Sequence, residues 1–405
     1  MRFSVHIRAG IREQLGSLAS EMAEWAELPR MDDLEADRIR TAIQPFAHAT
    51  ERHDLLIGGV DGSGDYPSLS YGDSFVYITV AQGTKYQSDS QTGLKELSTP
   101  GTEVLEFSWI PEDDVRRPRA IDAAFERMVG CPIEEVIEAS DYKAIKNRLS
   151  RRAHSTEELR THLIRPHAAD AGNLAIQLRS VGELSAALRL IRSTPSPSYV
   201  LYDSTLSLPF VPRVRNSLFH EHLKRLCCVE ARQRGKGFFS LSKSHGLPAV
   251  ERIEVLAAEA CGTGRAAAEH WFMRIPTAQY DQWELRIAET RNVPPPAAVT
   301  YLCRFHRNTP VMRLDMDLTY WEQYVKGTST EETRRNEKRI FEDLDYSSHD
   351  QRCFGYPYPI KAGHDRASLT EQERVALRIM VIDAAVSAGI SRTQFRNASA
   401  ATGHA

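Results

Sequence analysis

The stretch GVDGSGDY, residues 59–66, follows the apolar run DLLIG (54–58) and precedes a second strand-like stretch, SFVYITVAQG (74–83). An aspartate set among three glycines and a serine at the end of a buried strand has two readings. Glycine tolerates positive φ, and Asp and Ser are good turn formers, so the segment by itself reads as a tight turn. Read as a site, an ionised carboxylate at a strand end with little side-chain bulk beside it leaves room for a cation and a phosphate. Partners elsewhere in the chain decide between them.

Upstream of this stretch, residues 5–48 read as two amphipathic helical segments broken near Pro29. Three strands are expected at 54–61, 74–83 and 102–109. The first is continuously apolar, as a central strand should be, and the second alternates more. Their connections are rich in Gly, Ser, Asp and Thr, which fits hairpins. A long helical stretch follows over about 115–192, with a Ser-x-x-Glu start signal at Ser155. Within it, LAIQLRSVGELSAALRLI (174–191) spaces apolar residues three and four apart. STPSPS breaks the helix, YVLYDSTLSL (199–208) reads as a strand, 214–233 as a helix and GFFSLSKS (237–244) as a strand. Three strands, helix, strand, helix, strand is the order of an RNase H-like α/β fold: a mixed sheet in which three antiparallel strands are extended by parallel ones, flanked by helices. Further strands are expected near 269–275, 298–305 and 310–317, then a charged helix at 329–344. A closing helix, SLTEQERVALRIMVIDAAVSAG, carries a capping box from Ser368 to Glu371. The domain division is an N-terminal helical segment (1–50), one domain (51–390) with a helical insert at about 115–192, and a frayed tail (391–405).

Hydrophobic content of 41% and charged content of 26% are those of a soluble globular protein. No apolar run approaches the ~18 residues of a membrane span. The N-terminus is expected to be the first helix rather than a signal peptide. The six cysteines form no CxxC pair and are expected as free thiols in a reducing cytoplasm. A net charge of −3 gives no global basic field for nucleic acid. Two basic clusters, Lys143/Lys146/Arg148/Arg151/Arg152 and Arg213/Arg215/Lys224/Arg225/Arg232/Arg234/Lys236, read as solvated helix faces that neither support nor exclude DNA.

In this topology the first and fourth strands lie side by side and parallel. Asp61 closes the first and Asp203 the fourth, so their carboxylates converge at the edge where open α/β sheets collect ligands. Two such carboxylates repel, and are tolerated when a divalent cation lies between them. A third acid should come from the adjacent helix; Glu183 fits, with Ala186 and Ala187 sharing its face. Lys243 ends the fifth strand and could neutralise a phosphate. In YPYPIKAGHDRASL (356–369) the prolines set a rigid extended lead-in to the closing helix, with His364 and Asp365 just ahead of it. His364 could ligate a metal or act as general acid or base. Tyr356 and Tyr358 could stack on a base or orient a phosphate. The other thirteen histidines carry no such case. Taken singly, each of these residues has an ordinary structural reading; the set carries the functional one.

In family order from about residue 54 to 388, GVDGSG (59–64), the helix around Glu183, YVLYDSTL (199–206), LSKS (241–244), VMRLDMDL (311–318) and GYPYPIKAGHDRA (355–367) resemble the NurA nuclease family. That resemblance implies Mn²⁺-dependent degradation of single-stranded DNA and DNA ends, with Mg²⁺ as the alternative ion. It further implies a homodimer with a central channel, while the cytoplasmic location and the lack of membrane association are expected from the cysteines and the apolar runs. Its implied partner is a hexameric HerA-type translocase, in DNA end processing or phage defence. Carried across, Asp61, Glu183, Asp203 and His364 bind metal, and Lys243, Tyr358 and His364 complete the site. The family's Asp-Gly-Ser in the second acidic motif appears here as Asp203-Ser204-Thr205, which keeps the carboxylate and reduces backbone freedom. The expected mechanism is phosphodiester hydrolysis with two ions ~3.5–4 Å apart, Asp61 bridging both and Asp203 and Glu183 holding one each.

Two other classes remain open on sequence. An actin-like nucleotide-binding ATPase shares the strand order, but GTGRAAAEH (262–270), the one further glycine-rich segment, lacks the Lys-[Ser/Thr] of a P-loop. A metal-dependent adhesion site would need Ser where Asp65 stands. A catalytically inert DNA-clamping subunit would have no reason to concentrate negative charge at Asp61 and Asp203, where phosphate must sit.

Overall fold

In the computed structural model, which describes residues 5–25, 33–64, 67–90, 93–150, 152–161, 171–206, 220–245, 250–263, 268–275 and 298–397, the chain is organised around a twelve-stranded mixed sheet. Its main strands are β1 (Ile43–Pro45), β2 (Leu56–Ser63), β3 (Ser74–Asp89), β4 (Val104–Pro111), β5 (Tyr199–Tyr202), β6 (Gly237–Ser242), β7 (Trp271–Arg274), β8 (Ala298–Arg304) and β9 (Met312–Asp317). Across the sheet they run β4–β3–β2–β5–β6–β9–β8–β7–β1. β2 pairs antiparallel with β3 and β3 with β4, whereas β5 runs parallel to both β2 and β6. That is the expected RNase H-like unit; β9, β8, β7 and β1 extend it in antiparallel fashion.

Residue chemistry sets these positions. β6 is buried at every residue, as a central strand with helices on both faces must be. β4 alternates, with Leu105, Phe107 and Trp109 outward. The helices are α1 (Val5–Trp25), α2 (Asp33–Ala42), α3 (Arg116–Val129), α4 (Ala171–Arg192), α5 (His220–Gln233), α6 (Thr330–Ser347), α7 (Tyr358–Ala367) and α8 (Glu371–Ser387), with shorter ones between. One core joins Val60 and Tyr202 to α3, α4 and α5; the core on the other face joins Ile57, Leu201 and Phe239 to α6 and α7. α4 is buried over most of Leu174–Ile191, with Ile176 exposed and Arg179 and Arg189 partly so.

Several boundaries differ from expectation. Residues 43–45, read as helix, form β1 on β7 instead, where Ile43 is buried in a third core with Trp271 and Met273. The capping box of α8 is Thr370 with Glu373, two residues beyond the expected pair. His364 and Asp365 lie inside α7 rather than in an extended lead-in, since Pro359 falls in the first turn, where a missing N–H costs nothing. Phe395–Asn397, expected in the frayed tail, pairs with Leu69–Tyr71, and Phe395 packs on Tyr71. Ser155 caps as expected, exchanging hydrogen bonds with Glu158. Pro29, Asp65, Arg151, Arg213, Arg215, residues 264–267 of the glycine-rich segment and residues 398–405 lie outside the described residues.

Of the second basic cluster, Lys224 and Arg225 are buried rather than on a solvated face, while Arg234 is exposed as expected. Arg225 is fully buried, bonded to Asp141 at 2.7 and 2.8 Å and to Asp317 at 2.7 Å, and Arg232 joins the same two carboxylates. All six cysteines are free thiols. Among the described residues no helix is long and apolar enough to cross a membrane.

Candidate active site

The parallel register of β2 on β5 aligns Val60 with Tyr202, so Asp61 and Asp203 are the next residues of adjacent strands. Side chains alternate across a sheet. Val60 and Tyr202 point into the α4 core, which turns Asp61 and Asp203 together toward α7. β2 continues past Asp61 to Ser63, so the aspartate precedes the strand end by two residues. Its Oδ1 accepts from the Gly62 N–H at 2.7 Å, and its Oδ2 lies 2.9 Å from His364 Nδ1.

Asp203 sits just beyond β5. Burial holds its carboxyl above the usual range and the Asp61 charge adds to this, while the Tyr356 hydroxyl, Lys243 and His364 pull the other way. Those opposed influences define the site: two like charges, an ammonium, an imidazole and a phenol around one strand edge. Lys243 follows β6 directly and holds its Nζ 3.5 Å from the Tyr356 ring centre, a cation–π contact that fixes the ammonium. The Tyr356 hydroxyl is buried without a hydrogen bond of ordinary geometry and faces Asp203, whose charge adds to burial in holding the phenol neutral.

Glycines let helices reach this edge from both sides. A methyl at Gly59 would fall 2.4 Å from the Pro359–Ile360 backbone, so α7 lies directly on β2 and delivers His364 to Asp61. On the opposite face, a methyl at Gly62 would fall 2.9 Å from Glu183 Cγ and 2.9 Å from the Val80 carbonyl. Glu183 therefore approaches from the α4 side, buried, beside a residue with no side chain, and its Oε1 lies 3.3 Å from Arg179 Nε.

Asp61, Asp203, Lys243 and His364 are thus brought together on one face, and Glu183 meets the same edge from the other. Tyr358 is not brought in: its ring packs edge-on against Tyr86, 5.2 Å away, and beneath Arg352 at 3.7 Å. The helix start separates the two tyrosines, leaving Tyr356 in the lead-in and turning Tyr358 away. Asp365 pairs with Lys361. Asp315 was not singled out by sequence. Fully buried, it accepts from Thr300, Arg313 and the Leu206 N–H at 3.0 Å, pinning the segment that follows Asp203. Its sequence signal is its place in VMRLDMDL, one of the motifs of the resemblance, where charged residues alternate with apolar ones. Among the described residues, one group of His, Cys, Asp and Glu has all its ligand atoms within 4.8 Å of one another, and it is not this one but His48, His270, Asp345 and His349.

No protein-family model matches the chain, and no curated protein matches it. Among solved structures it is similar to the NurA nuclease from Sulfolobus solfataricus, at 12% identity over 96% of this chain and 99% of that one, with a TM-score of 0.46. A NurA structure with manganese is 11% identical over 95% of this chain and 99% of that one, TM-score 0.38. Endonuclease V of Ciona intestinalis, in complex with a DNA containing an inosine, is 11% identical over 88% of this chain and 98% of that one, TM-score 0.29. The manganese and the DNA belong to those proteins; for this chain the finding is a similarity that spans nearly its whole length.

Proposed function

We propose that this chain is a divalent-metal-dependent deoxyribonuclease acting on single-stranded DNA and DNA ends. The observation that carries this reading is the pair Asp61 and Asp203, side by side on one face of adjacent parallel strands, with Lys243 and His364 facing them. Carboxylate oxygens are the donors that Mn²⁺ and Mg²⁺ prefer, so the residues present fit such ions. Asp61, Asp203 and Glu183 would hold them. When bound, the ions supply a nucleophile at neutral pH and offset the charge that builds on the phosphate oxygens.

The remaining work falls to the chain's own groups. Lys243, held over Tyr356, is placed to contact a phosphate oxygen as a point charge. His364 orients Asp61 through Nδ1 and leaves Nε2 near solvent, 3.3 Å from Ser368 Oγ, where it can carry a proton to the departing oxygen or serve as a further ligand. Tyr356, rather than Tyr358, is the phenol that can donate to Asp203 or to a phosphate. The finer assignments rest on the motif resemblance and belong to the same proposal: two Mn²⁺ ions, a homodimer, a HerA-type hexameric translocase, end processing or phage defence in the cytoplasm.

Purified full-length chain is expected to degrade linear single-stranded DNA with Mn²⁺, to lose that activity in excess chelator, and to regain it when Mn²⁺ is restored. ATP hydrolysis with DNA left intact would overturn the reading in favour of a nucleotide-binding module. Within the site, Tyr356→Phe is expected to slow degradation about tenfold, the worth of one hydrogen bond to a charged group. Tyr358→Phe should leave the rate within about twofold, because that side chain meets Tyr86 and Arg352 rather than the acids. Equal losses in the two variants would contradict the placement.

A further inference from the structure

Away from the carboxylate edge, three histidines surround one fully buried aspartate. His48 follows β1, His270 immediately precedes β7, and Asp345 and His349 stand four residues apart across the end of α6. Asp345 accepts with both oxygens: His48 Nδ1 lies 2.6 Å from Oδ2 and His270 Nδ1 2.9 Å from Oδ1. His349 Nδ1 stands 3.2 Å from His48 Nδ1 and 3.8 Å from Asp345 Oδ1. Bonds of about 2.0–2.1 Å around a tetrahedral zinc put neighbouring ligand atoms about 3.3 Å apart; here the four ligand atoms all lie within 4.8 Å of one another, so a small closing movement brings them onto one ion.

Independent features agree with a built site. His270 adopts φ 53°, a left-handed conformation that a non-glycine residue rarely takes and that aims its ring inward. The Phe46 N–H donates to the His270 carbonyl at 2.9 Å, tying the segment that carries His48 to the turn that carries His270. A cavity of about 660 Å³, lined by His48, His349, Gly93 and Arg352 among others, opens the cluster to solvent and gives an ion a path in. Gly93 and Leu94 pair with the far end of β3, beside the first residues of β2, so the cluster lies at the opposite end of β2 from Asp61.

We propose that His48, His270, Asp345 and His349 form a structural zinc site, separate from the nuclease centre. Three imidazoles and one carboxylate make a complete four-ligand set for a borderline cation, whereas a catalytic zinc keeps a position open. The ion would clamp three stretches of chain far apart in sequence: the segment after β1, the turn before β7 and the end of α6.

The test uses the full-length chain expressed in zinc-supplemented medium. Elemental analysis is expected to find about one zinc per chain, retained in Asp61→Asn and Asp203→Asn. His349→Ala and His48→Ala should lower the content at least tenfold. His48 is partly exposed, so its loss is the milder for folding; far-ultraviolet circular dichroism checks both variants. After zinc is removed, added Co²⁺ should give the intense visible bands of a tetrahedral centre, and added Zn²⁺ should raise the melting temperature of the wild type but not of His349→Ala. The proposal is overturned if wild-type chain holds less than about a tenth of an equivalent and Co²⁺ gives no tetrahedral spectrum. Folded histidine variants that keep full zinc content overturn it equally. Loss of zinc in the Asp61 and Asp203 variants instead would place the ion at the carboxylate edge and also overturn it.

Discussion

Asp203→Asn should reduce Mn²⁺-dependent DNA degradation about 10³-fold while leaving the melting temperature unchanged or higher. The loss follows from removing a charged ligand: ion binding at the reacting phosphate is worth several kcal/mol of transition-state stabilisation, and each 1.36 kcal/mol is about a factor of ten. The stability direction follows from the carboxyl's environment. Burial, together with the Asp61 charge, raises its folded-state pKa above the ordinary value. Between those two values the folded chain holds the extra proton, so stability falls as pH rises through that window, and at neutral pH the ionised Asp203 is a net cost. The amide removes that cost. Asp61→Asn should lose as much activity, since Asp61 is also what His364 grips. Retention of more than about a tenth of wild-type activity in either variant, under conditions where each is folded, would remove the mechanism.

The second large effect concerns folding. Arg225→Ala should destabilise the chain by about 3–5 kcal/mol, because a fully buried guanidinium shared by Asp141 and Asp317 would leave two carboxylates to Arg232 alone. Asp317 also accepts from the Tyr320 N–H, so the turn after β9 loosens with it. Urea denaturation reads this as a lowered midpoint. A shift no larger than that of an exposed arginine such as Arg234 would mean the network is solvated and contributes little.

The carboxylate pair was legible in the sequence because it depends on few variables. A continuously apolar strand ending in Asp, a second such strand, and the helices between them fix a parallel pairing, and strand alternation then fixes the shared face. His364 was legible as a titratable group near the closing helix, though not as part of a helix of its own. Glu183 was legible by the small residues beside it, but not the face from which it approaches. Tyr358 entered the site set through the motif resemblance, and nothing local tells which side of a helix start a ring will take. The four-residue histidine–aspartate cluster left little local signal, since only Asp345 and His349 stand in a metal-ligand spacing, four residues apart, and the other two members come from residues 48 and 270.

By itself, then, the sequence determined the three-strand unit, the parallel pair beside it and the two acids on those adjoining strands, because local periodicity follows from which residues are apolar. Only the tertiary structure decided which charges are buried in pairs, which tyrosine faces the acids, how closely α7 and α4 approach β2 across Gly59 and Gly62, and that distant histidines meet around Asp345. Those outcomes depend on distances of a few tenths of an ångström between elements far apart in the chain, where packing rather than local propensity sets the energy.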